Sequence, residues 1–185
     1  MFHTLHRMAV LIFWGVLLCL AVQMYRKRAV FYPLVDLVDA IRIKDGFEQQ
    51  KVGEITGQVV RVFDGDTFQI KDETGRTCNI RLTGLDAPDI RQTNKAALLL
   101  ARESKTNLSR LILSNRVRVE ITYSNRPREA LGIVYFGDTN VNATIVASGL
   151  ATAKRDLMNG LPLKERYALL RAERKASERE TGPRE

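Results

Sequence analysis

Residues 8–25 contain no charged side chain, and this run constrains the chain more than any other feature because it divides an apolar N-terminus from everything after it. A helix needs roughly 17–25 apolar residues to cross a bilayer core, so the run sits near the lower limit for one span. A cleaved signal peptide is the competing reading, since a short apolar run behind Arg7 has that look. No Ala-x-Ala-like site follows it, however; Gln23, Met24 and Tyr25 lead into Arg26, Lys27 and Arg28. The expected organisation is a tail over 1–7, a transmembrane helix over 8–25 and a basic juxtamembrane segment over 26–52, then a globular domain over 53–180 and a tail over 181–185. Three basic residues after the run against Arg7 before it place the domain on the cytoplasmic or matrix-like side of a single-pass membrane protein.

Within the juxtamembrane segment, Leu34, Leu37, Val38 and Ile41 fall at helical spacing, with Pro33 suited to a first turn and Gly46 to a stop. The expectation is a short amphipathic helix that lies among lipid headgroups, packs on a partner subunit of a membrane complex, or packs on the chain's own domain. The net charge of +8 attracts polyanions, and nucleic acid and anionic lipid both qualify. Only Cys19 and Cys78 are present, one in the apolar run and one in a predicted strand, which excludes a disulfide framework and a cysteine-based metal site.

After Gly53 the pattern changes to short β-branched and aromatic runs. Strands are predicted over Ile55–Phe63, Phe68–Lys71 and Thr77–Thr83, with turns at Asp64-Gly65 and near Glu73–Gly75. In the third, alternation sets Cys78, Ile80 and Leu82 on the core face and Arg81 on the other. A helix capped by Thr93 or Asn94 runs to about Ser114, with Ala97, Leu100, Ala101, Leu108, Leu111 and Ile112 as its apolar stripe. Two more strands carry Val117, Val119, Ile121 and Tyr123 on one face of the first, and Leu131, Ile133 and Tyr135 in the second. Phe63, Phe68 and Tyr123 are the aromatics that could stack bases in a single-strand groove, but their strand positions place them in the core. A helix from Asn142 to Ser148 ends at Gly149, and a charged one from Leu163 to Glu178 presents Tyr167, Leu170 and Ala176 before Gly182 and Pro183. The plan is α+β, built on a small barrel.

Two segments carry chemistry: Val-Phe-Asp-Gly-Asp-Thr from Val62, and Ile-Arg-Leu-Thr-Gly-Leu-Asp-Ala-Pro from Ile80. An Asp-Gly-Asp turn alone is a common tight turn. With Arg81 and Asp86 at the end of the next strand, however, two carboxylates suit a hard cation such as Ca²⁺, and a guanidinium suits bidentate phosphate contact. Metal plus arginine is what phosphodiester hydrolysis requires, because charge builds on the phosphoryl oxygens.

These segments, with Val141-Asn142-Ala143 and Ser148-Gly149-Leu150-Ala151, resemble the staphylococcal-nuclease (thermonuclease-like) family. The resemblance implies a five-stranded OB-type barrel with three helices, here behind one transmembrane helix. It implies that Asp66 and Asp86 ligate Ca²⁺ with the Ala87 backbone carbonyl, that Asp64 is a nearby acidic group, and that Arg81 is the first phosphate-binding arginine. Where the family has a water-activating glutamate, this chain has Asp89, whose reach is shorter by about 1 Å. At the family's second catalytic arginine, within Asn125-Arg126-Pro127-Arg128-Glu129-Ala130-Leu131-Gly132, stands Glu129. Arg128 is adjacent, but alternation sends it to the other face unless a bulge shifts the register; Arg126 and Arg128 remain phosphate-binding candidates. The family's stacking tyrosines are replaced by Arg155 and Leu157. Three readings follow: a catalytically impaired domain serving as a binding module or accessory subunit at a membrane, a tethered Ca²⁺-dependent nuclease, and a non-hydrolytic single-strand binder using a basic groove. Arg91, Lys95, Arg102, Lys105 and Arg110 on or near the first helix are expected only to solvate it.

Overall fold

A computed structural model describes residues 13–19, 22–23, 28–43, 53–91, 93–126 and 128–181. The chain forms two compact units, Met1–Val38 and Asp39–Glu185. In the first, residues 13–19 and 22–23 are helical, and Phe13, Trp14, Val16, Leu17, Leu18 and Val22 are all exposed. The rest of the expected span over 8–25 lies outside the described residues. Among the described residues no helix is long and apolar enough to cross a membrane.

Helix α1 (Arg28–Arg42) begins well before Pro33, so that proline lies inside the helix rather than in its first turn. Its ring nitrogen cannot donate to the carbonyl four residues back, a missing bond the flanking turns tolerate. Leu34, Leu37, Val38 and Ile41 form an exposed apolar stripe. At the other end of α1, Ala40 is buried and Ile43 packs against the core, where Arg166 Nη1 donates to the Ile43 carbonyl at 2.6 Å. The expected stop at Gly46 lies outside the described residues.

The second unit is built on strands β1 (Gly53–Val62), β2 (Thr67–Asp72), β3 (Thr77–Leu82), β5 (Arg116–Arg126) and β6 (Glu129–Phe136). They pair antiparallel in the order β3-β2-β1-β5-β6, and a parallel β3–β6 seam closes the barrel. Closure leaves no free barrel edge, which is how a small all-round sheet avoids edge pairing. In β1 an irregularity between Val59 and Arg61 inserts one residue, so Val59 and Val62 both face inward while Val60 is turned out. Phe68, Ile70, Ile80, Leu82, Val119 and Ile133 fill the interior.

Helix α2 (Lys95–Ile112) starts where Asn94 Oδ1 accepts from the Ala96 and Ala97 amides at 2.9 and 3.4 Å. It buries Ala101, Ser104, Leu108 and Ile112, one residue every three or four positions. Leu100, expected in that stripe, is 41% exposed, and Ser104 takes the inward position instead. The short pair β4 (Leu85–Asp86) and β8 (Thr152–Ala153), strand β7 (Thr139–Asn140), helix α3 (Val141–Ala147), a 3₁₀ turn (Arg155–Met158) and helix α4 (Leu163–Thr181) complete the fold. Leu169, Leu170 and Ala172 anchor α4 to the core. The breaks expected at Gly182 and Pro183 lie outside the described residues.

One core expectation fails on β5. Pairing with β6 slips between Ile121 and Tyr123, so Thr122 is buried and Tyr123 is 46% exposed. The extra residue reverses the alternation that would have turned Tyr123 inward. Phe68 is fully buried, whereas Phe63 is only partly so and carries Arg61 over its ring at 4.9 Å.

Candidate active site

The hairpin from β1 to β2 presents the first carboxylates. The Phe63 amide donates to the Thr67 carbonyl at 2.9 Å, and Asp64 Oδ1 accepts from the Asp66 amide at 3.1 Å, an Asx-type turn that fixes the loop. Asp66 points inward, with Oδ1 accepting from the Thr67 hydroxyl at 2.7 Å and Oδ2 from Arg81 Nη2 at 3.1 Å and the Ala87 amide at 3.4 Å. Between the two aspartates, Gly65 lies against α2. A Cβ there would stand 2.0 Å from Ser104 Oγ and 2.9 Å from the Ala87 side chain, closer than atoms can pack. The Ser104 hydroxyl is itself buried and finds no hydrogen-bond partner among the described residues. Gly65→Ala is therefore expected to lose about 2 kcal/mol in denaturant unfolding, and Ser104→Gly in the same chain to recover most of it. If the double variant is no more stable than the single one, the close approach is not the cause.

Arg81 faces Asp66 because Thr67 and Arg81 are paired across β2 and β3. Its Nη2 bridges Asp66 Oδ2 and Asp86 Oδ1, the latter at 3.2 Å. Gly84, at φ 79°, turns the chain from β3 into β4, where pairing of Asp86 with Thr152 holds the second aspartate in place. Burial pushes the Asp66 carboxyl up to about 6, with the Asp64 charge adding to it, while the Thr67 hydroxyl and Arg81 only partly offset the rise. A carboxyl raised in the folded state favours folding most below its ordinary value, and that advantage is lost as pH rises through about 6. In chelator, Asp66→Asn should thus melt higher than the unmodified chain at pH 7.5, by on the order of 2 kcal/mol, with the gap closing at pH 4. A constant gap across that range would show that the carboxyl is not titrating there.

Asp64, Asp66, Arg81, Asp86, Asp89 and Arg91 line a cleft of about 330 Å³. Two carboxylates around one incompletely compensated buried charge fit a hard cation, which prefers oxygen donors and retains water in the remaining positions. Among the described residues no group of three or more His, Cys, Asp or Glu side chains is set to enclose a metal, so the protein donors would be few. The Ala87 amide ties the start of the following loop to Asp66. Asp89 is bound by its own neighbour: Arg91 donates from Nε and Nη2, the latter at 2.6 Å, and from its backbone amide at 2.8 Å. Those bonds hold the Asp89 carboxyl below the usual carboxylate range. It is a firmly ionised carboxylate with its oxygens engaged, a poor position from which to take a proton from water.

On the far side of Arg81, the β3–β6 seam sets Asn79 opposite Glu129 and Arg81 opposite Leu131. Arg81, Tyr123 and Glu129 share the wall of a second cavity of about 350 Å³. Neither Arg126 nor Arg128 lines either cavity. Arg126 is 3.6 Å from Glu129 with its side chain 73% exposed. Arg128 sits at φ 68° with its carbonyl accepting from the Asn79 amide at 2.8 Å, a left-handed turn position that leaves its side chain exposed. Arg155 is taken by Glu173 at 3.0 Å, and Leu157 is 41% exposed. Sequence reasoning missed Arg91 as a partner of Asp89, although its spacing is a simple local signal; Tyr123, a stacking candidate expected in the core, is on the cavity wall instead.

The family model of staphylococcal nuclease homologues matches residues 79–182, more than half of the chain. The chain belongs to the staphylococcal nuclease homologue family. The match starts at Asn79, so it takes in Arg81, Asp86 and Glu129 while Asp64 and Asp66 lie upstream. The chain is 32% identical over 103 residues to a thermonuclease of Staphylococcus hyicus, covering 55% of this chain and 60% of that protein. An uncharacterized endonuclease of Haemophilus influenzae is 31% identical over 98 residues, 53% of this chain and 52% of that protein. A protein named "Probable endonuclease lcl3" from Aspergillus terreus is 27% identical over 146 residues, 62% of this chain and 49% of its own length. The chain therefore spans about half to three fifths of these relatives.

Proposed function

We propose that this member of the nuclease family keeps the half of the site that binds cation and phosphate, has lost the half that drives hydrolysis, and works as a nucleic-acid-binding module held at a membrane. The supporting observation is Glu129 on the cavity wall beside Arg81, where hydrolysis needs a second cation on the phosphoryl oxygens. Asp66 and Asp86 would hold a divalent ion such as Ca²⁺, which supplies electrophilic charge at the phosphoryl oxygens when bound. Arg81, half exposed between them, would donate to a phosphate oxygen from its free edge. Asp89, engaged by Arg91, activates water poorly.

The test is a cleavage assay on the full chain in detergent micelles, with Ca²⁺ or chelator, beside binding of a fluorescent oligonucleotide. Binding with only trace cleavage is expected. Chelator-sensitive cleavage that disappears in Asp66→Ala would instead make the chain an active endonuclease, as the names of its relatives suggest for them.

The membrane part of the proposal draws support from the uncharged run over 8–25, the basic residues after it and the exposed apolar stripe of α1. With an intact N-terminus the chain should stay in the membrane pellet through alkaline extraction; release into the supernatant would remove the anchor.

A further inference from the structure

Arg81 belongs to two cavities of different character. One holds Asp66 and Asp86; the other has Tyr123 and Leu131 on its walls and Glu129 at its margin. The slip in β5 that turned Tyr123 outward leaves its ring available to a ligand, and Leu131 is its partner across β5 and β6. Arg81 and Tyr123 therefore flank Leu131 from either side, and Glu129 stands two residues along β6 on the same cavity wall. An anion is welcome beside Arg81 and repelled beside Glu129.

A continuing nucleic-acid strand carries a phosphate on both sides of every ribose, so it would bring one to Arg81 and the next towards Glu129. A nucleotide with a single phosphate and free ribose hydroxyls brings hydroxyl donors to Glu129 instead. Carboxylates accept well from ribose hydroxyls, and bases stack on tyrosine rings. The Arg126 pairing does not block this, because Glu129 meets it only at 3.6 Å with both side chains more than half exposed, and such surface pairs are weak.

We infer that this cavity takes a terminal ribonucleotide, with its 5′-phosphate on Arg81, its base against Tyr123 and its 2′- and 3′-hydroxyls donating to Glu129. The inference rests on the phosphate-binding reading of Arg81. Its source is either a free ribonucleoside monophosphate or the 3′ end of an RNA strand.

The experiment is calorimetry on the full chain in detergent with Ca²⁺ present, titrating AMP, dAMP and adenosine 3′,5′-bisphosphate. AMP should bind at least about tenfold tighter than the bisphosphate, and a few-fold tighter than dAMP. Glu129→Gln should bring the bisphosphate to within about twofold of AMP, and Tyr123→Ala should weaken AMP about tenfold. A tetraribonucleotide ending in a 3′-hydroxyl that binds while its 3′-phosphorylated form does not identifies a strand end; binding of AMP alone identifies a free nucleotide. Bisphosphate binding as tight as AMP in the unmodified chain, with both abolished in Arg81→Ala, overturns the inference and leaves the phosphate reading standing. Absence of binding by every nucleotide overturns both.

Discussion

Replacing Glu129 by arginine is expected to raise Ca²⁺-dependent phosphodiester cleavage about 10²-fold over the unmodified chain, since one correctly placed transition-state donor is typically worth 10²–10³ in rate. The cause is electrostatic. Glu129 shares a cavity wall with Arg81, on the side away from Asp66 and Asp86, so its negative charge opposes a phosphate held on that guanidinium. Charge reversal removes that repulsion and adds a second guanidinium, which can grip a phosphate bidentately. The gain should appear in kcat more than in KM, because the added contact strengthens as charge builds. Asp89 sets a ceiling: with its oxygens taken by Arg91, water activation remains weak, so Asp89→Glu added to Glu129→Arg should raise the rate further, whereas alone it should do little. A Glu129→Arg chain that binds oligonucleotide but cleaves no faster would show that the missing cation is not what limits this site.

The closed barrel was legible because its signals are local. Alternation over Thr77–Leu82 fixed which side of β3 faces the core, Asn94 marked the start of α2, and Asp-Gly-Asp marked the first hairpin. The convergence of Asp66, Arg81 and Asp86 followed from two motif segments on neighbouring strands. What escaped depends on register. A one-residue slip in β5 put Tyr123 outside and Thr122 inside, and no composition signal announces such a slip. The left-handed turn at Arg128 has the same character, since nothing in its side chain favours φ 68°, although strand alternation had already put Glu129 rather than Arg128 at the cavity. Ser104 was hidden because a polar residue on an apolar stripe reads as a solvent position, while close packing against Gly65 requires a small side chain there.

Asn142→Ala is expected to be the most damaging single change to the folded domain, costing about 3–5 kcal/mol out of a total that for domains of this kind is roughly 5–15 kcal/mol. Asn142 is fully buried on α3. Its Oδ1 accepts from the Val134 amide at 2.9 Å, and its Nδ2 donates to the Thr83 carbonyl at 2.9 Å and the Gly132 carbonyl at 3.2 Å. One side chain therefore joins α3, strand β6 and the turn that leads into β4. Gly132 keeps a second partner, since the Thr83 amide also donates to its carbonyl at 3.0 Å, but alanine would strand the Val134 amide and the Thr83 carbonyl away from water. Asn142→Asp should be no milder at neutral pH, because a carboxylate cannot donate to the two carbonyls it would face. The damage should reach the site as well: Thr83 precedes the Gly84 turn that positions Asp86, so Ca²⁺ should bind more weakly in whatever fraction stays folded. Leu100→Ala provides the control, since that side chain is 41% exposed and its loss should shift the urea midpoint little. Equal shifts for Asn142→Ala and Leu100→Ala would mean that the buried amide does not hold these elements together.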